Sequence, residues 1–206
     1  MQMQSTALEF DDIARNIFYP IYSVIADQIL DGAKVNPTGI CLDVGCGSGY
    51  LGLAIAKKTN MTLCCYDLST EALEITKDNI IEEHLQKQAY TCLGNVEAIP
   101  YPDSTFDLVV SRGSLFFWEN KAKAINEINR VLKPGGWAYL GGGFGNQKLK
   151  HRIDQQMLQI DDQWLIKAAK RKGSSEAYKN LMLLTQVNTY QIREDETGLW
   201  IIFEKN

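Results

Sequence analysis

Apolar positions along the chain follow two alternating rhythms. Short β-rich runs of five or six residues, Ile40 to Val44, Met61 to Tyr66, Ala89 to Leu93, Phe106 to Ser111 and Trp137 to Gly141, alternate with stretches of helical character. Leu51 to Lys58 has helical composition. Ser69 is the expected N-cap of a helix reaching about Leu85, with apolar positions at Leu73, Ile75, Ile80, Ile81 and Leu85. A further helix from about Lys121 to Leu132 is stopped by Lys133-Pro134-Gly135-Gly136. Strands that alternate with helices pair in parallel through right-handed crossovers, with helices on both sheet faces. A helical region follows from about Gln147 to Thr185, then two β-patterned runs, Val187 to Arg193 and Leu199 to Glu204, around a turn at 194–198. The pattern therefore predicts an α/β fold: a doubly wound, Rossmann-like, seven-stranded sheet, mostly parallel, with a C-terminal antiparallel hairpin.

The length of 206 residues favours a single domain over 1–206. Within it, 1–36 is expected to form an N-terminal helical lid, broken into two helices near Pro20, and 146–185 a helical insertion before the last two strands. Lys and Arg total 21 against 25 for Asp and Glu, and a net charge of -4 argues against general affinity for nucleic acid or anionic membrane. Locally, 146–173 carries seven Lys or Arg and three Asp, a net of +4, which reads as a solvated helix face or a docking place for an anionic acceptor. Five cysteines without a CxxC spacing, and only two histidines, predict neither a disulfide framework nor a metal site. No apolar run reaches the ~18 residues of a membrane span, and MQMQSTALEFDD lacks the regions of a signal peptide, so a cytoplasmic location is expected.

The most informative stretch is CLDVGCGSGYLG, Cys41 to Gly52, where glycines at 45, 47 and 49 lead from the first strand into a helix. Glycine lets the backbone turn sharply and approach a ligand where a Cβ would collide. A dinucleotide pattern would need glycine at 50, where Tyr50 stands, and Asp43 would set a negative charge beside a pyrophosphate. A carboxylate there suits a ligand that presents an ammonium or hydroxyls. Asp67 closes the second strand at the edge that borders the ligand crevice, where it can accept two hydrogen bonds from a ribose diol or interact with a helix N-terminus. Asn95 and Val96 follow the third strand, positioned to read an adenine edge, although Asn95 also fits a turn.

These segments resemble the class I S-adenosylmethionine-dependent methyltransferases of the small-molecule type that includes the ubiquinone/menaquinone methyltransferases. LDVGCGSG resembles their first motif, YDLS their ribose motif, GNVEAIPYPDSTFDLVVS their adenine segment and fourth strand, and INEINRVLKPGGWAYL their approach to the fifth strand. The resemblance implies S-adenosyl-L-methionine as cofactor. Asp43 would organise the methionine amino end, and Gly45, Cys46, Gly47 and Gly49 would line the methionine and sulfonium. Asp67 and Leu68 would hold ribose and flank adenine, and Asn95 and Val96 would contact the adenine edge. Many relatives carry Asp where this chain has Asn95, whose amide carbonyl still offers an acceptor.

A sulfonium methyl is intrinsically electrophilic, so such an enzyme chiefly aligns a nucleophile and excludes water. That agrees with a chain in which no catalytic triad is visible, and no residue is assigned as a general base. The fourth strand ends SRGSLFFWEN at the cofactor edge. Ser111 is assigned to the cofactor, and Arg112, Ser114 and Trp118, with Tyr19 of the N-terminal segment, to the methyl acceptor. The aromatic residues here can equally pack the next helix, and Arg112 can be a structural ion-pair partner. The glycine run Gly141 to Gly145 is read as following the fifth strand, as a hinge or a place of close approach. The expected function is methyl transfer to a small-molecule acceptor, with no nucleic-acid or membrane partner. An NAD-type oxidoreductase and a non-catalytic cofactor-binding module are the alternatives.

Overall fold

The computed structural model describes residues 6–206. Thr6 begins the first helix, α1 (Ala7–Ile13), with a capping box: its hydroxyl accepts the Glu9 N–H while the Glu9 carboxylate accepts the Thr6 N–H. The expected break near Pro20 does not occur. A π-helical turn, Ala14–Phe18, joins α1 to α2 (Tyr19–Gly32), and Pro20 lies in the first turn of α2, where its missing N–H costs no intrahelical bond.

The remaining elements alternate as the sequence predicts. They are β1 (Ile40–Val44), α3 (Tyr50–Ala56), β2 (Thr62–Asp67), α4 (Thr70–Glu82), β3 (Ala89–Leu93), β4 (Phe106–Arg112), α5 (Lys121–Val131) and β5 (Leu132–Gly143). A 3-10 turn, Leu115–Phe117, separates β4 from α5. The 146–185 region resolves into α6 (Gln147–Leu158), α7 (Trp164–Lys172) and α8 (Ser175–Met182), followed by β6 (Gln191–Glu194) and β7 (Gly198–Glu204).

The sheet order is β3-β2-β1-β4-β5-β7-β6, with β1 to β5 parallel and β7 antiparallel to both neighbours. Strand order reverses between β1 and β4, and a crevice opens at their carboxyl ends. Residue alternation divides the core between two faces. Cys41, Leu108 and Val110 pack with Ile21, Ile25 and Leu53 on one side; Leu42, Val44 and Val109 pack with Ile125 and Ile128 on the other.

Two local expectations at β5 need correction. Leu132 already pairs with Phe106, and residues 133–136 bulge out before Trp137 pairs with Leu108, so the Pro-Gly-Gly segment interrupts a strand as well as ending a helix. Gly141 to Gly143 lie within β5, paired with Trp200, Leu199 and Gly198 of β7. At Gly141 (φ +153°) a Cβ would stand 2.2 Å from the Leu199 carbonyl oxygen, so close packing of β7 accounts for this glycine.

Candidate functional site

The glycine loop is fixed by hydrogen bonds from β2 and α4. The Gly45 and Cys46 N–H groups donate to the Tyr66 carbonyl (2.8 and 3.2 Å), and the Gly47 N–H donates to Asp67 Oδ2 (2.8 Å). From α4, Thr76 Oγ1 donates to the Gly47 carbonyl (2.6 Å) and Asn79 Nδ2 to the Ser48 carbonyl (2.9 Å). Both side chains are buried. Sequence reasoning missed them, although a Thr and an Asn three residues apart on the inward face of an amphipathic helix are a readable signal.

Asp43 occupies the place where a phosphate-binding loop would hold its ligand. Its Oδ2 accepts the Gly52 N–H in the first turn of α3 (2.9 Å), so the carboxylate takes the anion position at that helix N-terminus. With Gly45, Cys46 and Gly47 donating within the protein, the loop offers no N–H nest made of these three groups for a pyrophosphate. Burial pushes the Asp43 carboxyl up to about 7, against the opposing Gly52 hydrogen bond and with a smaller contribution from Asp67. A cationic ligand group beside it would favour the ionised form.

Gly47 (φ +55°) has no atom within 4 Å of a Cβ position and faces the cavity, as expected of a cradle for a ligand. Gly49 differs: its Cβ would lie 2.8 Å from Thr76 Cγ2, and it does not line the cavity. Its φ of +81° and its contact with α4 make it a packing glycine, which corrects the expectation that it borders the cofactor. Cys46 does border the cavity; burial raises its thiol well above the usual range, so it stands there as an uncharged group.

One cavity of about 1040 Å³ runs along the carboxyl edge of the sheet. At one end it is bordered by Asp67, Leu68, Gly94, Asn95 and Val96. Asp67 uses one oxygen for Gly47 and the other for the Ser69 N–H (2.9 Å), so it braces the loop while facing the cavity. The Asn95 Oδ1 accepts the Glu97 N–H (2.8 Å), which is the turn reading of that residue, and its backbone carbonyl accepts the Tyr66 hydroxyl (3.0 Å).

The other end is walled by Phe18, Tyr22, Arg112, Ser114, Phe144 and Trp164, while Trp118 borders the cavity from the core cluster that contains Val96. The rings of Phe18, Phe144 and Trp164 stand 6.0 to 6.3 Å apart. Asp154, from α6, accepts from Trp164 Nε1 (2.8 Å) and pairs with Lys150. Two expected site residues, Ser111 for the cofactor and Tyr19 for the acceptor, do not border the cavity. Ser111 is fully buried, its hydroxyl 2.6 Å from that of Ser114, and only Ser114 borders the cavity. Tyr19 is directed to the other side of α2, where its hydroxyl donates to Glu83 Oε1 (2.9 Å). Phe18 and Tyr22 take its place in the wall, and sequence reasoning did not single out Phe144 or Trp164.

The N-terminal helices are tied to this site by polar contacts. The Tyr50 hydroxyl donates to Asp11 Oδ1 (2.9 Å), and Arg15 reaches Glu82 (3.0 Å) and Asn79 Oδ1 (2.6 Å), the same Asn79 that holds Ser48. Residues 1–5 of the expected lid lie outside the described residues. Among the described residues, no group of His, Cys, Asp and Glu could hold a metal ion, and no helix is long and apolar enough to cross a membrane.

Comparison with known proteins bears on this site. Residues 42–140 match the family model described as a methyltransferase domain. The chain is 34% identical over 146 residues to the mitochondrial arginine-hydroxylase NDUFAF5 of Rattus norvegicus, covering 71% of this chain and 39% of that protein. It is 32% identical over 136 residues to the ubiquinone/menaquinone biosynthesis C-methyltransferase UbiE of Hydrogenovibrio crunogenus, covering 62% and 54%. The chain thus spans about a third to a half of the length of these curated relatives. A solved structure from Methanococcus maripaludis, assigned as an S-adenosyl-L-methionine-dependent methyltransferase, matches 100% of this chain and 97% of its own at 35% identity, with a TM-score of 0.93.

Proposed function

From its place among the class I S-adenosyl-L-methionine-dependent methyltransferases, the family to which the chain belongs, we propose that this enzyme methylates a small molecule held between the aromatic wall and the glycine loop. The relatives' names differ in chemistry, C-methylation in one and arginine hydroxylation in another, so the acceptor has to be read from this chain's own cavity. The observation that carries the proposal is its size and lining. About 1040 Å³ lies at the top of the ~300 to 1,000 Å³ range of small-molecule sites, which leaves room for an acceptor beside the cofactor.

The residues divide the work along the cleft. Asp43 would hold the ammonium of the methionine end, Gly47 would give the backbone clearance for the methionine chain beside Gly45 and Cys46, Asp67 would take the ribose hydroxyls, and Leu68, Asn95 and Val96 would flank the adenine. The bound cofactor supplies a methyl group on sulfonium, open to in-line attack with a neutral thioether as leaving group. Phe18, Tyr22, Phe144 and Trp164 would exclude water and orient the acceptor's nucleophilic atom toward that methyl group. Asn95 offers its Nδ2 toward the adenine in preference to Oδ1, which the turn occupies. The acidic net charge supports a small acceptor over nucleic acid.

Metabolite extract incubated with the enzyme and methyl-deuterated cofactor should yield a labelled small molecule by mass spectrometry. Label found only in macromolecules, with none in the small-molecule fraction, would refute the acceptor class while leaving the methyltransferase intact.

A further inference from the structure

Arg112 ends β4 and borders the cavity. Its Nε donates to the Gly143 carbonyl (3.1 Å), and its guanidinium carbon stands 5.3 Å from the Phe18 and Tyr22 ring centroids and 5.7 Å from that of Phe144. Cation–π contacts of this kind offset part of the cost of removing the charge from water. No carboxylate of the described residues lies within 4 Å of it. Of its five N–H donors, that on Nε has an acceptor in full hydrogen-bond geometry among the described residues, and the Tyr22 hydroxyl is a second, looser partner. Desolvation lowers its pKa against a smaller opposing contribution from Tyr22, the sign of a shielded cation whose surroundings do not neutralise it. A half-buried guanidinium without an anion is a costly arrangement, and a planar fork with donors to spare matches a carboxylate.

The register gives this cation a counterpart. Asp43 pairs with Val110, and Arg112 lies two residues further along the same strand, so both charged side chains lie on one face of the sheet. An acid on β1 and a base on β4 thus stand at successive levels along the cleft, an arrangement complementary to a ligand bearing an ammonium and a carboxylate. The protein itself supplies no ion pair between them.

We propose that Arg112 is the receptor for a ligand carboxylate, held through the guanidinium donors that the protein does not use. The inference rests on the reading that cofactor and acceptor share this cavity. Two ligands can present the group: the cofactor, through its methionine end, or an acceptor that is itself a carboxylic acid. Arg112 acts by binding and orienting, and takes no part in bond making.

Calorimetry with S-adenosylhomocysteine and with the same molecule lacking its carboxyl group distinguishes the sources. If the carboxylate is the cofactor's, the wild type should prefer the complete ligand at least tenfold. Arg112→Met should then bring the two within about twofold, and Arg112→Lys should keep part of the preference. If it is the acceptor's, the wild type should bind both alike. Ligand-observed NMR should then detect phenylacetate, but not phenylacetamide, on the wild type with and without S-adenosylhomocysteine, and Arg112→Met should lose that signal. Thermal melting of both variants establishes that they are folded. The proposal is overturned if folded Arg112→Met keeps the wild-type preference and the phenylacetate signal, or if the wild type shows neither. Failure of the wild type to bind S-adenosylhomocysteine would instead count against the cofactor assignment, because the phenylacetate arm without cofactor still reports on Arg112.

Discussion

Replacing Asp43 by Asn should change the pH dependence of stability in a defined direction. Burial raises this carboxyl from 3.8 to about 7 in the folded protein, so between those values the native state holds a proton that the unfolded chain has released. The contribution of the neutral acid is complete below pH 3.8 and is lost as pH rises through 7. At ~1.4 kcal/mol per pKa unit, the whole effect is ~4 kcal/mol, of which about 2 to 3 kcal/mol develops between pH 5 and pH 8. The side-chain carbonyl of the Asp43→Asn variant can still accept the Gly52 N–H and has no titration there; its amide donors add an offset that does not vary with pH. Urea unfolding of both proteins without ligand, at pH 5, 6, 7 and 8, should show the stability difference moving in favour of the variant as pH rises, then levelling. S-adenosylhomocysteine should bind the wild type more tightly as pH rises, by up to tenfold per pH unit below 7, and should release a proton on binding, because its ammonium favours the ionised carboxylate. A stability difference flat within about 0.5 kcal/mol from pH 5 to 8, small against the expected change, together with pH-independent affinity, would refute the placement of this titration at Asp43.

Two of the left-handed glycines of the loop should respond differently to substitution. Gly47→Val has open space on the cavity side and should lose S-adenosylhomocysteine binding by calorimetry while still melting cooperatively; Gly49→Val meets Thr76 at 2.8 Å and should show its main loss in thermal stability. Asp67→Ala should weaken S-adenosylhomocysteine by one to two decades, the scale of charge-assisted hydrogen bonds worth ~1.5 to 3 kcal/mol, and should also lower the melting temperature because Gly47 and Ser69 lose their acceptor. Affinity within about twofold of wild type, against that scale, would leave Asp67 as a brace of the loop alone.

Local sequence determined the elements and their order because periodicity, caps and glycine placement act over a few residues. The alternating rhythm sufficed for five parallel strands and the final hairpin, and Ser69 does cap α4 through the Ala72 N–H. Asp43 and Asp67 were legible for the same reason: each sits at a fixed offset from a strand end that the topology turns toward the crevice. Which side chains enter the cavity was decided only by packing. Neighbouring helical residues differ by ~100° in direction, so Phe18 and Tyr22 face the cleft while Tyr19 reaches Glu83 on the outside. Strand ends leave a similar choice, and the close approach of Gly45 to Ser114 puts that serine at the cavity and Ser111 beneath it. Thr76 and Asn79 matter to the glycine loop through contacts about thirty residues apart in sequence. Phe144 and Trp164 join Phe18 from elements far apart in the chain. Such a wall has no local signature, because it exists only once the π-helical turn before α2, the segment after β5 and α7 are brought together at the sheet edge, and the charge of Arg112, without a carboxylate partner among the described residues, acquires meaning only inside it.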